Sequence, residues 1–493
     1  MKTFRLFLAA FGSALLLLSC YGVSTQTTGR IAFAVSSQAR SITAGSNLLR
    51  VSLVSAKSVG GSWLLQSLYT FPGGSGYAQG SVGSTLTLDN IPVGNWAVLV
   101  SAGTTDASGN FVTTDYNWPY SVVSVAPGVD NPVSVTLQPS PVTRTSLFGV
   151  DVDGVANLLG GVLVGNFTYY VIPSTSTQLY GINATSFGAL PGGSIPTGVS
   201  VNSLSSGWVY NTSQQQQQAL FINTSTGIYY YYTGAPSVLG DLAASNPIPV
   251  YQSGAFHDLS VTGAPVAIGI FYQNVDGFGG AYINSTPYTS SMWVNVNLLN
   301  QTGSQPISDL TLTDNSATSS TSYAYYASKL GAFQIDQSVV TAGSANQGNL
   351  GVAKFFTVPD GSTILSLNAI GTGTSPFYIG STSGGWTATL SEASTPPVVS
   401  PTKVAATQGD AIVKIASVSI VGAANYVAFL SRYNLYILNT STQNVKVYPF
   451  SAGLPGQITG LAWSSTGPTL YVAGRSGPTG TPGLVSISGS GLP

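Results

Sequence analysis

Along most of the chain, apolar positions alternate with small or polar ones in short runs, and the runs are separated by clusters of Gly, Ser, Asn and Pro. Alternation of period two marks a strand with one buried face, and no stretch repeats its apolar residues at helical spacing. The pattern predicts an all-β protein of many short strands. In the N-terminal part, strands are expected at Arg30–Val35, Leu48–Ser55, Trp63–Phe71, Thr85–Leu88, Asn95–Ala102, Tyr120–Val125 and Pro132–Leu137, enough for two packed sheets. Gln138-Pro139-Ser140-Pro141 interrupts the alternation. Two prolines so close suit an extended connection. Residues 139–144 are therefore expected to link a β-sandwich at 27–138 to a second domain at 145–493.

One passage of the first domain is more specific. In Leu86-Thr87-Leu88-Asp89-Asn90-Ile91-Pro92-Val93-Gly94-Asn95-Trp96-Ala97-Val98-Leu99-Val100, Leu86 and Leu88 share one strand face. Pro92 and Gly94 suit a turn, and Trp96, Val98 and Val100 share a face of the next strand. The passage resembles the strand–turn–strand unit of transthyretin-like and Cna-B-like sandwiches. Some Cna-type domains cross-link Lys to Asn beside a buried Glu. This domain has no Glu and a single internal lysine, Lys57, so no isopeptide bond is expected.

The second domain carries a weak repeat. Strand-like runs recur at Ser146–Val152, Val199–Leu204, His257–Val261, Ser308–Leu312, Ile364–Leu367, Ala416–Ile420 and Gln457–Trp463. Most are followed by a second strand, such as Tyr323–Ala327, Tyr426–Leu430 or Leu470–Ala473, and some by a third, such as Asn434–Leu438. From Leu259 onward the spacing is 51, 55, 53 and 43 residues. Units of this period resemble the blades of a β-propeller, and the domain's length implies about seven. The strand at Leu147–Val152 is expected to close the ring beside Leu484–Ser488. A pair of further sandwiches is the alternative.

The first residues, MKTFRLFLAAFGSALLLLSC, place Lys2 and Arg5 before an apolar run from Leu6 to Leu18. That run is too short for a membrane span and suits a secretory signal. Leu17-Leu18-Ser19-Cys20 resembles the bacterial lipobox. The resemblance implies a signal peptide at 1–19, lipidation of Cys20, a tether at 20–26, and anchoring to the outer membrane or cell surface by acyl chains. Cys20 is the one cysteine, so the domains fold without disulfides. Gly154–Ile172 has no charge, but its glycines, asparagines and β-branched residues favour strand–turn–strand over a membrane helix.

Composition narrows the function. Only 6% of the 493 residues are charged, with 14 Lys+Arg, 15 Asp+Glu and one His. A nucleic-acid partner is excluded for want of a basic face. The chain holds one histidine, His257, and one glutamate, Glu392, so most acid–base catalysis is disfavoured and neither a catalytic residue nor a cofactor is assigned. Asp151-Val152-Asp153-Gly154 and Asn274-Val275-Asp276-Gly277 are read as turns rather than calcium loops, since position 12 from Asp151 is Val162. No metal site is expected. His257 beside Asp258 is read as structural. Gln214–Gln218 is read as a loop tip. The Asn-x-Ser/Thr sites, including Asn223 and Asn439, are read as turn chemistry. Between Arg144 and Lys329 there is no Lys or Arg but there are seven Asp, so one side of the ring is expected to be acidic. Aromatic rings and neutral hydrogen-bonding groups abound. Tyr229, Tyr230, Tyr231 and Tyr232 are the candidate binding residues, for a glycan or an envelope protein. The expected function is a non-catalytic recognition or scaffolding protein on the envelope. The alternatives are a carbohydrate-active enzyme using propeller Asp residues and a structural coat protein.

Overall fold

The computed structural model describes residues 28–34, 42–107, 109–144, 155–164, 167–173, 178–182, 187–210, 216–232, 240–241, 250–257, 268–274, 279–284, 294–297, 307–313, 323–336, 354–370, 374–418, 426–463, 468–475 and 484–493. Among these residues the regular elements are β-strands and short 3-10 turns. The chain is all-β. Its contacts divide it into two compact units, one chiefly N-terminal to Pro139 and one chiefly from Ser140 onward.

The first unit is built from the greater part of β1 (Thr28–Ala34), β2 (Leu48–Val59), β3 (Ser62–Leu68), β4 (Ala78–Ser81), β5 (Thr85–Pro92), β6 (Gly94–Thr105), β7 (Phe111–Asn117), β8 (Ser121–Val125), β9 (Asp130–Ser134) and β10 (Leu137–Pro139). One sheet runs β5-β1-β9, and the other runs β10-β7-β6-β2-β3 with β4 on β2 and β8 on β6. Ile31, Phe33, Leu88 and Ile91 of the first sheet share one core with Leu49, Val51, Leu53, Trp96, Val98 and Val100 of the second. The passage from Leu86 to Val100 thus crosses from sheet to sheet. Gly94 takes φ +145°, a conformation that suits glycine, and the Trp96 indole N–H donates to Pro92 O at 2.7 Å.

The pattern of the sequence passed over β7, FVTTDYN. Two of its polar residues, Asp115 and Asn117, are buried. Asn117 reproduces backbone pairing with its amide, accepting from Val100 N and donating to Val98 O, both at 2.8 Å. Asp115 accepts from Thr43 N and Thr43 Oγ1 at 3.0 Å and from Thr114 Oγ1 at 2.8 Å. A buried strand can carry polar residues when each finds its partners.

The second unit contains seven four-stranded antiparallel sheets among the described residues. Blade 1 is β12 (Val155–Val164), β13 (Phe167–Pro173), β14 (Gln178–Ile182) and β15 (Phe187–Ser194), and blade 2 is β16 (Val201–Tyr210), β17 (Gln216–Thr224), β18 (Ile228–Tyr232) and β19 (Gly240–Asp241). Blade 3 is β20 (Val250–His257), β21 (Ile268–Asn274), β22 (Gly279–Asn284) and β23 (Val294–Asn297). Blade 4 is β24 (Ile307–Thr313), β25 (Tyr323–Ser328), β26 (Gly331–Asp336) and β27 (Lys354–Phe356). Blade 5 is β28 (Ile364–Ala369), β29 (Thr374–Ser381), β30 (Gly384–Ser391) and β31 (Val398–Lys403), and blade 6 is β32 (Lys414–Val418), β33 (Tyr426–Leu430), β34 (Asn434–Asn439) and β35 (Val445–Pro449). Blade 7 is β36 (Gln457–Trp463), β37 (Thr469–Arg475) and β38 (Leu484–Ser488), completed by β11 (Val142–Arg144).

The first strand of each blade contacts the first strand of the next: β12 meets β16, β16 meets β20, and so on to β36, which returns to β12. That cycle closes a ring. The second unit is a seven-bladed β-propeller.

Three expectations change. The closing strand is β11, whose Val142, Thr143 and Arg144 pair with Ile487, Ser486 and Val485. It comes from the segment read as a linker. Pro141 ends the proline pair, and the next three residues have amides free to join a ladder. Leu147–Val152, expected to fill that place, lies outside the described residues, and blade 1 begins at Val155. Gln216, Gln217 and Gln218 are not loop residues either, for they pair with Tyr210, Val209 and Trp208. Gly154–Ile172 was expected to read strand–turn–strand, and β12 and β13 pair antiparallel within it. Among the described residues no helix is long and apolar enough to cross a membrane.

A finer repeat lies beneath the blade period. In six blades the first strand advances two residues against one on its partner just after a Val or Ile, at Val155, Val201, Val250, Ile307, Ile364 and Ile458. A bulge bends its strand and re-aims the side chains beyond it.

Candidate functional site

The inner strands are small and polar because they stitch neighbouring blades together. Between blades 4 and 5, Asp309 Oδ2 accepts from Leu367 N at 2.6 Å and Ser308 Oγ donates to Ile364 O at 3.2 Å. Between blades 5 and 6, Ser366 Oγ donates to Ile412 O at 3.1 Å. Between blades 6 and 7, Lys414 Nζ donates to Thr459 O at 2.8 Å and the Trp463 indole N–H donates to Ala416 O at 3.0 Å. Burial pulls the Lys414 ammonium below the usual lysine range, against the opposing pull of Asp309.

The hairpins between the second and third strands also repeat. In blades 2, 4 and 5 they read Thr224-Ser225-Thr226-Gly227, Ser328-Lys329-Leu330-Gly331 and Ser381-Thr382-Ser383-Gly384. The first hydroxyl of each donates to the glycine carbonyl, at 2.8, 2.9 and 3.0 Å. The glycines take φ of +150°, +145° and +145°, where a side chain strains the backbone. At Gly331 an added Cβ would also stand 2.5 Å from the Phe355 ring.

Blade 6 departs from this pattern. Its hairpin is Ser431-Arg432-Tyr433-Asn434, with a side chain where the other three have none. The Asn434 side chain turns to the buried Asp410, to which its Nδ2 donates at 3.0 Å. Ser431 Oγ donates to the same carboxylate oxygen at 3.0 Å, and the Tyr436 hydroxyl donates to it as well. Asn434 is 4% exposed, and its Oδ1 has no hydrogen-bond partner. A buried carbonyl without a donor carries a cost of about 1–3 kcal/mol.

Above this cluster lies a groove of about 370 Å³ between blades 6 and 7. Arg432, Tyr433 and Asn434 of the hairpin, Phe450 and Leu454 of the connection between the blades, and Gln457 of β36 line it. Arg432 is exposed, and its guanidinium stands over the Tyr433 ring at 5.2 Å from the centroid. Among the described residues it donates to no acceptor. The groove therefore carries an exposed guanidinium at its rim, with Tyr433, Asn434 and Phe450 buried behind it.

The residues singled out from sequence fall elsewhere. Tyr229 and Tyr230 are buried, at 8% and 7% exposure, and Tyr231 is half-buried against the same cluster. Tyr229 and Tyr231 pack with residues of blades 1 and 2. Burial raises the Tyr231 phenol above its ordinary range. The side chains of Tyr232 and His257 lie outside the described residues, as do Cys20, Asp151, Asp153, Asp258, Asp276, Gln214 and Gln215.

Glu392 locks blades 4 and 5, accepting from Thr313 Oγ1 at 2.7 Å while its carbonyl accepts from Lys354 Nζ at 3.0 Å. Asp360 is held by Lys403 Nζ and Ser383 Oγ at 2.6 Å and by Ser362 Oγ at 2.7 Å. Partial burial pushes its carboxyl upward, but these hydrogen bonds together hold it well below the usual carboxylate range. Asn439 Oδ1 accepts from Ser441 N and Thr442 N at 3.0 and 3.1 Å, the turn chemistry expected of it. Asn223 differs, since it is buried and donates to Ser203 Oγ at 2.8 Å. Among the described residues no three His, Cys, Asp or Glu side chains are grouped to hold a metal ion.

Sequence reasoning missed Asp410, Arg432 and Asn434. The signal was present in the repeat: aligning the four hairpin tetrads isolates Asn434 as the exception.

No protein-family model matches the chain, and no curated protein matches it. Several solved structures resemble it. BBS1N, in complex with ARL6DN, is 11% identical over 71% of this chain and 98% of its own, with a TM-score of 0.44. YCF48 bound to D1 peptide is 9% identical over 70% and 94%, with a TM-score of 0.43. The fucose-specific lectin of Aleuria aurantia is 14% identical over 57% and 89%, with a TM-score of 0.34. The propeller assignment stands on strand order and ring closure within this chain.

Proposed function

We propose that the protein is a non-catalytic recognition module, anchored to a bacterial envelope through lipid on Cys20, and that it binds a glycan or an envelope protein through its propeller. The observation that carries this reading is the groove between blades 6 and 7, where the exposed Arg432 guanidinium bonds to no described acceptor. Rigid scaffolds commonly bind through such loop-borne positions. The described acids Asp309, Asp360, Glu392 and Asp410 each serve bonds within or between blades, which argues against a pair of carboxylates kept for hydrolysis.

Two experiments test the proposal. The full-length chain, screened against immobilised envelope glycans and envelope proteins, is expected to bind saturably without turnover. Turnover of a bound glycan, abolished by one Asp→Asn change, would replace the binding reading by an enzymatic one. For the anchor, the protein made in a bacterial host is expected to enter the detergent phase, and Cys20→Ala to leave it. A Cys20→Ala protein that still partitions into detergent rules out lipidation at this residue.

A further inference from the structure

The strand that closes the ring differs from the other outer strands. In blades 1 to 6 the fourth strand follows the third in the chain, whereas β11 precedes every blade. Its ladder runs only from Val142 to Arg144. A short edge ladder opens at low cost, and β11 can leave without melting a strand that continues it. Part of what holds it lies outside blade 7. Ser140 Oγ accepts from Val142 N at 3.1 Å and donates to Ala452 O at 2.5 Å, in the connection between blades 6 and 7. Residues 489–493, which follow β38, turn across to blade 6. Lys446 Nζ of β35 donates to Ser490 O at 2.5 Å and to Leu492 O at 2.8 Å, and the Tyr448 hydroxyl donates to Gly491 O at 2.5 Å. Asn439 Nδ2 donates to Pro493 O at 3.2 Å. Leu492 and Gly491 are buried. A Cβ on Gly491 would stand 2.7 Å from Ile487 Cγ2 and 2.9 Å from Pro141 Cβ, closer than carbon atoms pack. Gly491 therefore lies against Ile487, which pairs with Val142, and against Pro141, which leads into β11.

We propose that residues 489–493 are a clasp on the ring closure. Lys446 and Tyr448 of blade 6 hold the clasp, the clasp presses on Ile487 and Pro141, and β11 stays paired in blade 7. Releasing the clasp opens the ring at β11 while the blades stay folded. Two features separate this device from ordinary stability. The donors to the clasp are side chains of β35, so their loss leaves the ladder between β34 and β35 intact. Departure of β11 removes one edge ladder and leaves β36, β37 and β38 paired with one another.

Trypsin reads the opening in the full-length chain. Arg144 ends β11, and the next Lys or Arg is Lys329, so cleavage after Arg144 is resolved from other cuts. Its rate follows the population of the open form. Lys446→Met combined with Tyr448→Phe removes three of the clasp's bonds and keeps most of the side-chain bulk. Cleavage after Arg144 is expected to rise about tenfold, and amide exchange across Val142–Arg144 to rise with it, while exchange in β25 and β29 stays unchanged. Lys446→Arg retains donors and should keep the unmodified rates. Gly491→Ala pushes the clasp off Pro141 without touching β35 and should reproduce the opening. Unchanged cleavage and exchange at β11 in the double variant would overturn the proposal, as would equal acceleration in every blade. An opening by Lys446→Arg as large as that of the double variant would overturn the role of the donors. If the double variant does not fold, Gly491→Ala decides: selective opening at β11 supports the clasp and its absence overturns it.

Discussion

Asp115 with Asn117 and Asp410 with Asn434 are two buried acid–amide sets in the same chain, one in each unit. In the first unit, the Asn117 amide uses both ends on the backbone of β6, and Asp115 collects three donors. In blade 6, Asp410 likewise collects three, from Ser431, Asn434 and Tyr436, but the Asn434 carbonyl collects none. The first set is complete and structural. The second is complete except for one acceptor beside a groove. The difference teaches that two buried polar sets of the same composition can differ in whether the fold uses every valence.

The largest effect is expected where the set is complete. Asp115→Ala leaves the donors of Thr43 and Thr114 without an acceptor in a buried strand, and should cost about 3 kcal/mol, read by denaturant unfolding. A loss below about 1 kcal/mol would mean that these donors find other partners and that the set is not structural.

The asparagines sharpen the contrast. Asn117→Ala strands a backbone N–H and a carbonyl and should cost about 2 kcal/mol. Asn434→Ala loses only one of three donors to Asp410 and should cost about 1 kcal/mol. Equal destabilisation by the two changes would show that the Asn434 carbonyl is used within the fold.

The smallest effect concerns Asp360, whose partners surround it at the surface of blade 5. Its folded carboxyl titrates below the unfolded value, so its contribution is present above about pH 4 and fades as acid protonates the folded carboxyl. Asp360→Asn should flatten the decline of stability between about pH 4 and pH 2. An unchanged acid profile would show that the bonds to Lys403, Ser362 and Ser383 do not couple to folding.

Much of the architecture was legible because strands announce themselves locally. Tyr426–Leu430 was expected as a strand and is β33, and Leu48–Ser55 lies within β2. The blade period was legible because each unit repeats that alternation. β7 was not, because Asp115 and Asn117 break the apolar pattern that marks a buried strand. Tyr229 was legible only as a strand residue, because a ring there suits either a ligand or an inter-blade core, and the facing blade decides.

By itself, the sequence determined the all-β class and the repeating units, since these follow from residue periodicity. Tertiary structure alone decided that Val142–Arg144 closes the ring, that Glu392 serves as a lock, and that Asn434 keeps a free carbonyl above Asp410. These outcomes depend on partners distant in the chain. Val142 meets Ile487, Thr313 meets Glu392, and Tyr436 meets Asp410 across 26 residues. Whether a polar group is satisfied is set by what the fold brings against it, and local pattern carries no record of that.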